Sequence, residues 1–284
     1  MTGPSSTHEE RTAASQRDSD LHQVRIAKIE QVNESFLPGQ WLDVHVPGVR
    51  QAGGFTITST PKDAQPRRDD PGYLELAIQK SPNNPPAAWL WRPEEEIRDS
   101  PVYVRVGGNF VWPPPGIDPA SIKTIALVAG GVGINPLMSI LTHLRQNPQE
   151  PKRTISLIYG ARAPQSHDLS KILFLDRLRD YSWMGQQTTP FVKLYLTRCS
   201  EEEAIDMNDR YSRPKEEVID LHSALAGRID REALRNAVDH ADDDEWRKQA
   251  VVYICGPAKM TDEFERIYLD MGMEQGRVLT EKWW

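Results

Sequence analysis

The feature that most constrains the fold is a glycine-rich run at residues 125–136, IALVAGGVGINP. Five apolar residues lead into Gly130, Gly131 and Gly133, and the run predicts a buried strand, a tight turn and a helix that begins at Pro136. Glycines let backbone amides approach a ligand that side chains would block. A helix N-terminus adds unpaired N–H donors and a partial positive charge. The run therefore predicts a phosphate cradle, with an ordinary strand-loop-helix unit as the alternative.

Composition narrows the class of protein. With 284 residues, 38% of them hydrophobic and 26% charged, the chain is long enough for two globular domains. Its net charge of −7 argues against a main role in nucleic-acid binding, which needs a basic surface. Two cysteines, Cys199 and Cys255, are too few for a four-thiolate iron–sulfur or zinc centre, and the histidines have no metal-ligand spacing. We therefore expect no metal site.

The first 20 residues are polar and lack the apolar core of a signal peptide. We expect a disordered tail there. The chain offers no uninterrupted apolar stretch long enough for a transmembrane segment, since glycine, proline and Asn135 break the run at 124–141. An intracellular location follows, cytoplasmic or mitochondrial, because two arginines in the tail favour a transit peptide and its acidic residues oppose one.

Short alternating segments dominate residues 21–112. Strands are predicted within 21–46 and over 53–59, 73–79 and 102–106, separated by glycine and proline turns. This pattern is typical of a small antiparallel β-barrel. The stiff segment WPPPG at 112–116 then marks a domain boundary.

Strands alternate with helices over residues 117–284. The predicted strands are 124–129, 154–159, 191–196 and 250–254, and the predicted helices are 136–146, 168–180, 230–240 and 258–271. Alternation of this kind indicates an α/β domain with a parallel sheet. Residues 199–224 are acidic, and we interpret them as an irregular surface insertion.

A second loop supports the first. The run CGPAKM at 255–260 follows a predicted strand and precedes a helix, and YGAR at 159–162 follows another strand. Ligands of parallel sheets bind outside the carboxyl ends of the strands. Three such loops can converge on one dinucleotide.

These motifs resemble the ferredoxin-reductase-like flavoprotein superfamily, whose members join a flavin-binding barrel to a pyridine-nucleotide domain. The resemblance covers residues 21–284 in the same domain order. The ending EKWW at 281–284 and the run GGFT at 53–56 most resemble the type represented by oxidoreductase NAD-binding domain-containing protein 1. The resemblance implies that nucleotide contacts come from the three loops, namely from Gly130, Gly131, Val132, Gly133, Ile134, Pro136, Gly160, Arg162, Cys255, Gly256, Pro257 and Met260.

The flavin half of the resemblance departs from the superfamily pattern. Phe55 and Thr56 match an aromatic residue that stacks on the flavin ring and a hydroxyl that hydrogen-bonds it, and Thr58 lies beside them. Gly53 stands where relatives have a phosphate-binding arginine, with Arg50 three residues earlier as a substitute. The run NPPAAWL at 84–90 replaces a glycine-to-serine turn, which leaves Ala87 and Ala88 to meet the flavin pyrophosphate. FAD is the expected cofactor and FMN the alternative; Phe55 alternatively is a barrel core residue.

The resemblance also implies a catalytic group of Thr56, Cys255 and Glu281, with Trp283 or Trp284 covering the flavin until nicotinamide displaces it. For Cys255 and the tryptophans, burial in the core is the competing interpretation. Arg162 keeps the arginine of a Ser-Arg pair that binds the 2′-phosphate of NADP, while Ala161 lacks the hydroxyl. This favours NAD(H) over NADP(H).

The implied reaction passes a hydride from NAD(P)H to bound flavin at the barrel–sheet interface, and electrons onward to a separate acceptor, a protein or a small molecule. The altered residues at Gly53 and 84–90 leave a second hypothesis, a degenerate member that binds nucleotide or a partner protein without turnover.

Overall fold

A computed structural model describes residues 21–26, 36–68, 72–147, 151–181, 191–212, 222–238 and 245–283. The chain divides into two compact units. One takes in the described residues up to Trp112 together with Met138–Gln146, and the other takes in the described residues within Pro113–Leu137 and Asn147–Trp283. The predicted tail at 1–20 and the predicted cofactor residue Trp284 lie outside the described residues.

The first unit is built on antiparallel strands. They are β1 Leu21–Ile26, β2 Trp41–His45, β3 Gly53–Thr56, β4 Leu74–Gln79 and β5 Tyr103–Gly107. Strands β3-β2-β5 form one sheet and β1-β4 another, and a bridge between Ile57 and Leu76 links β4 to the residue after β3. Two short helices follow β4: α1 Pro85–Leu90 and α2 Glu94–Ile97. Alternate strand residues such as Leu42, Val44 and Phe55 share one core with Leu90.

The second unit contains a six-stranded sheet in the order β11-β10-β6-β7-β8-β9, in which all the neighbouring strands run parallel. Its strands are β6 Thr124–Gly130, β7 Thr154–Arg162, β8 Phe191–Thr197, β9 His222–Ala226, β10 Ala250–Gly256 and β11 Val278–Lys282. Every residue of β6 and β10 is buried, which is why these strands read as continuous apolar runs. The predicted two-domain class, antiparallel followed by α/β, is confirmed.

The remaining helices connect the parallel strands. They are α3 Ile134–Gln146, α4 Leu175–Tyr181, α5 Glu201–Ser212, α6 Arg231–Asn236, α7 Trp246–Gln249 and α8 Ala258–Asp270. Among the described residues no helix is both long and apolar enough to cross a membrane.

Two helix predictions are corrected. The helix expected from Pro136 begins at Ile134, directly after a 3₁₀ turn over Gly131–Gly133. The helix expected over 168–180 is a 3₁₀ turn at Leu169–Lys171 followed by α4, because Phe174 adopts a left-handed backbone (φ +62°) that interrupts a helix.

The prediction of an irregular segment over 199–224 is wrong for much of that range. Residues Glu201–Ser212 form α5 and His222–Ala226 form β9, while 213–221 lie outside the described residues. Helix α5 begins at a capping box: the Glu203 amide donates to Ser200 Oγ (3.2 Å), and the Ser200 amide donates to Glu203 Oε2 (2.8 Å). Most residues of this helix are polar and face away from the core, so the sequence pattern did not indicate a helix. Ala204 and Met207 form its buried face.

Candidate functional site

Three neighbouring strands of the parallel sheet carry a glycine at the same level: Gly130 ends β6, Gly256 ends β10, and Gly160 lies two residues before the end of β7. Gly130 on β6 pairs with Gly160 on β7, and Cys255 on β10 pairs with Ala129, so Gly256 lies beside Gly130. These glycines form a row along the carboxyl edge of the sheet, where α/β proteins bind ligands. The three loops predicted to converge therefore start side by side.

The space above two of these glycines is filled by Met260. A Cβ built on Gly130 would lie 2.6 Å from the Met260 Sδ, and one on Gly256 would lie 2.5 Å from its Cε. Met260 comes from the first turn of α8 and is itself partly exposed. The glycines are thus needed for the thioether to pack onto the strand ends, and Met260 is the side chain that a ligand at this edge would meet.

Gly133 allows the loop at 130–136 to pack closely against the loop at 255–260. A Cβ at this position would lie 2.1 Å from the carbonyl oxygen of Cys255, which is too close for any side chain. Gly131 is different, since a Cβ there would meet nothing within 4 Å, and its φ of +56° lies in the left-handed region. Of the two, Gly131 faces open space, whereas Gly133 serves the contact between loops. Val132 between them is partly exposed.

The turn at Gly131–Gly133 leads directly into the 13-residue helix α3, and no described side chain caps either start. The Ile134 amide bonds back to the carbonyls of Gly131 and Val132, and the side chains of Ile134 and Pro136 are buried. An anion at this helix start would therefore be bound by the backbone amides of the turn, because no described side chain caps them. The helix dipole favours negative charge at that position.

Cys255 and Glu281 are register partners on β10 and β11. The Cys255 thiol is fully buried, and burial, with a smaller effect of the Glu281 charge, raises its pKa well above the usual value. Burial raises the pKa of Glu281 from 4.5 to about 7, while a hydrogen bond from Trp283 opposes that rise. This carboxyl therefore exchanges a proton near neutral pH, whereas the thiol stays protonated.

Trp283 continues β11 and holds the carboxyl in place. Its amide donates to the Gly256 carbonyl (2.9 Å), and its indole Nε1 donates to Glu281 Oε2 (3.0 Å). Pro257 precedes α8, and Thr261 Oγ1 donates to the Gly256 carbonyl (3.3 Å). Arg162 ends β7 with an exposed side chain, in register with Thr197 of β8. The structure thus places the described residues predicted from the three strand-end loops, together with Glu281 and Trp283, at the carboxyl edge of the sheet.

In the first unit, Phe55 lies in the core. It is 9% exposed, and its ring covers Gly53, where a Cβ would lie 2.5 Å from the Phe55 Cε2 and 2.8 Å from the Pro86 Cβ. The ring and the proline therefore occupy the space into which a side chain at position 53 would extend. The alternative interpretation, a core aromatic, describes the position of Phe55 in this structure.

The two threonines near Phe55 are both buried. The Thr58 hydroxyl lies 2.9 Å from Glu75 Oε2 and 3.1 Å from the Glu75 carbonyl oxygen, so it donates its hydrogen bond within the unit. Thr56 pairs with Trp41, which places the two on the same face of the sheet. The Trp41 indole lies over Gly107 and Gly108, where a Cβ would come within 2.7 Å of it. The sequence patterns do not single out Trp41, although the glycine pair at 107–108 is compatible with a large ring packed over that strand end.

The start of α1 offers no amide to a ligand. Pro85 and Pro86 lack an N–H, the Ala87 amide donates to Asn84 Oδ1 (3.3 Å), and the Ala88 amide donates to the Asn84 carbonyl (2.8 Å). That Ala87 and Ala88 bind a flavin pyrophosphate stays a prediction, and in this structure both amides are hydrogen-bonded within the chain.

Comparison with known proteins identifies the family. The model of the ferric reductase NAD-binding domain matches residues 122–269, just over half of the chain, from β6 into α8. Oxidoreductase NAD-binding domain-containing protein 1 of Bos taurus is 33% identical over 258 residues, which is 88% of this chain and 72% of the bovine protein. The protein of the same name from Danio rerio is 32% identical over 98% of this chain and 97% of its own length.

Solved structures share the fold at lower identity. The Amycolatopsis cytochrome P450 reductase GcoB superposes with a TM-score of 0.62 at 19% identity, covering 94% of this chain and 66% of that one. A ferredoxin NADP⁺ reductase from Neisseria gonorrhoeae with bound FAD and NADP gives 0.58 at 18% identity, covering 93% of both chains. Together with the motifs at the sheet edge, these matches show that the chain belongs to the ferredoxin-reductase-like superfamily, in the family of oxidoreductase NAD-binding domain-containing protein 1.

Proposed function

We propose that the protein is an NAD(P)H-dependent oxidoreductase that passes a hydride from nicotinamide to a flavin. The observation that carries this proposal is the uncapped turn at Gly131–Gly133, which opens α3 beside the glycine row Gly256, Gly130 and Gly160. The amides of the turn and the positive end of the helix suit a pyrophosphate. Contacts at 160–162 and 255–260 complete the nucleotide site, with Val132, Pro257 and Met260 lining it.

Glu281 is the proposed proton-handling group. The nicotinamide supplies the hydride, and reduction of a flavin by hydride also requires one proton. A carboxyl with a pKa of about 7 is present in both protonation states at neutral pH, as a general acid should be. Trp283 holds its Oε2, and Cys255 shapes the wall of the site through its backbone and its buried thiol. Thr56, Phe55 and Trp284 keep the roles implied by the family as proposals.

The proposed nicotinamide cofactor is NAD(H). Ala161 supplies no hydroxyl beside Arg162, and the exposed arginine by itself is a weak ligand for a 2′-phosphate. The ratio of kcat/KM for NADH to that for NADPH tests this preference. A ratio below one would contradict it, and the Arg162→Ala variant would then be expected to lose activity with NADPH alone.

The decisive experiment mixes the full chain anaerobically with NADH and FMN or FAD and follows loss of flavin absorbance. We expect bleaching that the Gly131→Asp variant abolishes together with NADH binding, because the new carboxylate faces the open space above the turn. Gly116→Asp is the matched control, since Gly116 also has a positive φ (+76°) and open space around its Cβ position. Bleaching that survives Gly131→Asp would show that the nucleotide binds elsewhere.

A second candidate is a nucleotide-binding protein without turnover. The closed start of α1 and the core position of Phe55 favour it, because both remove expected flavin contacts. The same experiment separates the two candidates. NADH binding without any flavin reduction would support the second and refute the first.

A further inference from the structure

In the candidate flavin site of the first unit, the residues at the start of α1 do not suit the diphosphate of FAD. Anions are bound at a helix start by amides that the helix itself leaves unpaired. In α1 the first two positions are prolines, and the third amide is capped by Asn84 Oδ1. All the leading amides of this six-residue helix are therefore absent or satisfied.

The arginine that would supply positive charge to a diphosphate is also missing, since Gly53 stands at its position. The side-chain direction at Gly53 is blocked by the Phe55 ring at 2.5 Å and by the Pro86 Cβ at 2.8 Å. An arginine at this position would displace the core aromatic that packs there. Pro86 thus removes an amide from α1 and also closes the space beside β3.

Since the start of α1 offers no free amide and position 53 offers no cation, we propose that the protein does not recognise the diphosphate of FAD, and that it uses flavin as an exchangeable substrate. This inference rests on the proposed function and names its electron acceptor. In each turnover NAD(P)H gives a hydride to oxidised flavin, a proton adds to the flavin, and NAD(P)⁺ and reduced flavin leave. Riboflavin, FMN and FAD share the reacting ring and serve alike.

The test compares the three flavins on the purified full chain. Quenching of flavin fluorescence gives a Kd for each, and anaerobic NAD(P)H oxidation gives a KM for each. We expect Kd values within about threefold of one another, in line with ring-centred binding, and less than one flavin per chain after purification. A Kd at least tenfold lower for FAD than for riboflavin, stoichiometric co-purified FAD, or no binding of any flavin would overturn the inference.

Binding and turnover separate this inference from the proposed function. Equal flavin affinities without NAD(P)H oxidation would support the inference about the diphosphate and refute the oxidoreductase. NAD(P)H oxidation together with a strong preference for FAD would support the oxidoreductase and refute the inference about the diphosphate.

A gain-of-function variant tests the cause. Replacing Pro85 by Gly and Pro86 by Ser restores two amides at the start of α1, and we expect FAD to bind at least fivefold more tightly while riboflavin is unaffected. Pro93→Ser is the control, because Pro93 is exposed and precedes the next helix, α2. An unchanged FAD-to-riboflavin ratio in a folded variant would overturn the role of the prolines. Asn84→Ala frees the Ala87 amide without touching the contact of Pro86 with β3, and it serves if the double variant does not fold.

Discussion

The pKa of Glu281 yields a quantitative prediction for the Glu281→Gln variant. In the folded chain burial raises this pKa from 4.5 to about 7. A carboxyl with a raised folded-state pKa stabilises the fold fully below its unfolded pKa, and that contribution is lost as the pH rises to the folded value. Between pH 4.5 and about 7 the native protein therefore loses stability that a neutral glutamine retains.

The size of the effect follows from the two pKa values. Each pH unit between them is worth about 1.4 kcal/mol, which sets an upper limit of about 3.4 kcal/mol above pH 7. Glu281 is only partly buried, and water screens part of the charge, so we expect about 2 kcal/mol. Glutamine keeps the acceptor for the Trp283 indole, so the hydrogen bond at 3.0 Å survives the change.

Urea unfolding of the native chain and of Glu281→Gln, followed by fluorescence from pH 4.5 to 9, measures this difference. The two stabilities should agree near pH 4.5 and separate up to pH 7, with the variant more stable above that value. The exposed Glu263→Gln is the control and should leave the pH dependence unchanged. Parallel curves for the native chain and Glu281→Gln would refute the assignment of a raised pKa to this carboxyl.

Three further predictions concern the same edge of the sheet. Gly133→Ala should lower the free energy of unfolding by about 1–3 kcal/mol, because its Cβ would lie 2.1 Å from the Cys255 carbonyl; an unchanged urea midpoint would contradict that contact. In a Cys199→Ser background, the Cys255 thiol should react with a thiol reagent only after unfolding, since it is fully buried with a raised pKa, and rapid labelling of the folded chain would disprove this. Trp283→Phe should move the Glu281 titration to higher pH, because the indole hydrogen bond lowers that pKa; a shift to lower pH in the stability profile would be inconsistent with it.

Local patterns were enough to predict the α/β class of the second unit and four of its six strands. The apolar runs at 124–129 and 250–254 fall within strands that are buried along their whole length, and a continuous apolar run can occur only where both faces of a sheet are covered. Helix α5 shows the opposite case. Its many acidic residues led to the prediction of an irregular segment, although the sequence contains the Ser200–Glu203 capping box that starts the helix.

The order of the strands could not be deduced from the chain alone. Strand β10 lies between β6 and β11 and is separated from β6 by more than a hundred residues, so the pairing that puts Gly256 beside Gly130 depends on tertiary packing. The same pairing brings Glu281 beside Cys255 and buries it enough to raise its pKa.

The sequence by itself therefore determined the kind of fold and the loops that are proposed to bind a nucleotide, because strand period, glycine turns and helix starts are local properties. Only the tertiary structure decided what each residue does within those loops. It assigns Gly133 to the contact with Cys255 and leaves Gly131 open, and it shows the start of α1 closed by Asn84. Whether an amide is free or a Cβ has room depends on neighbours that are distant in the chain or on a side-chain rotamer, and neither can be read from the order of the residues.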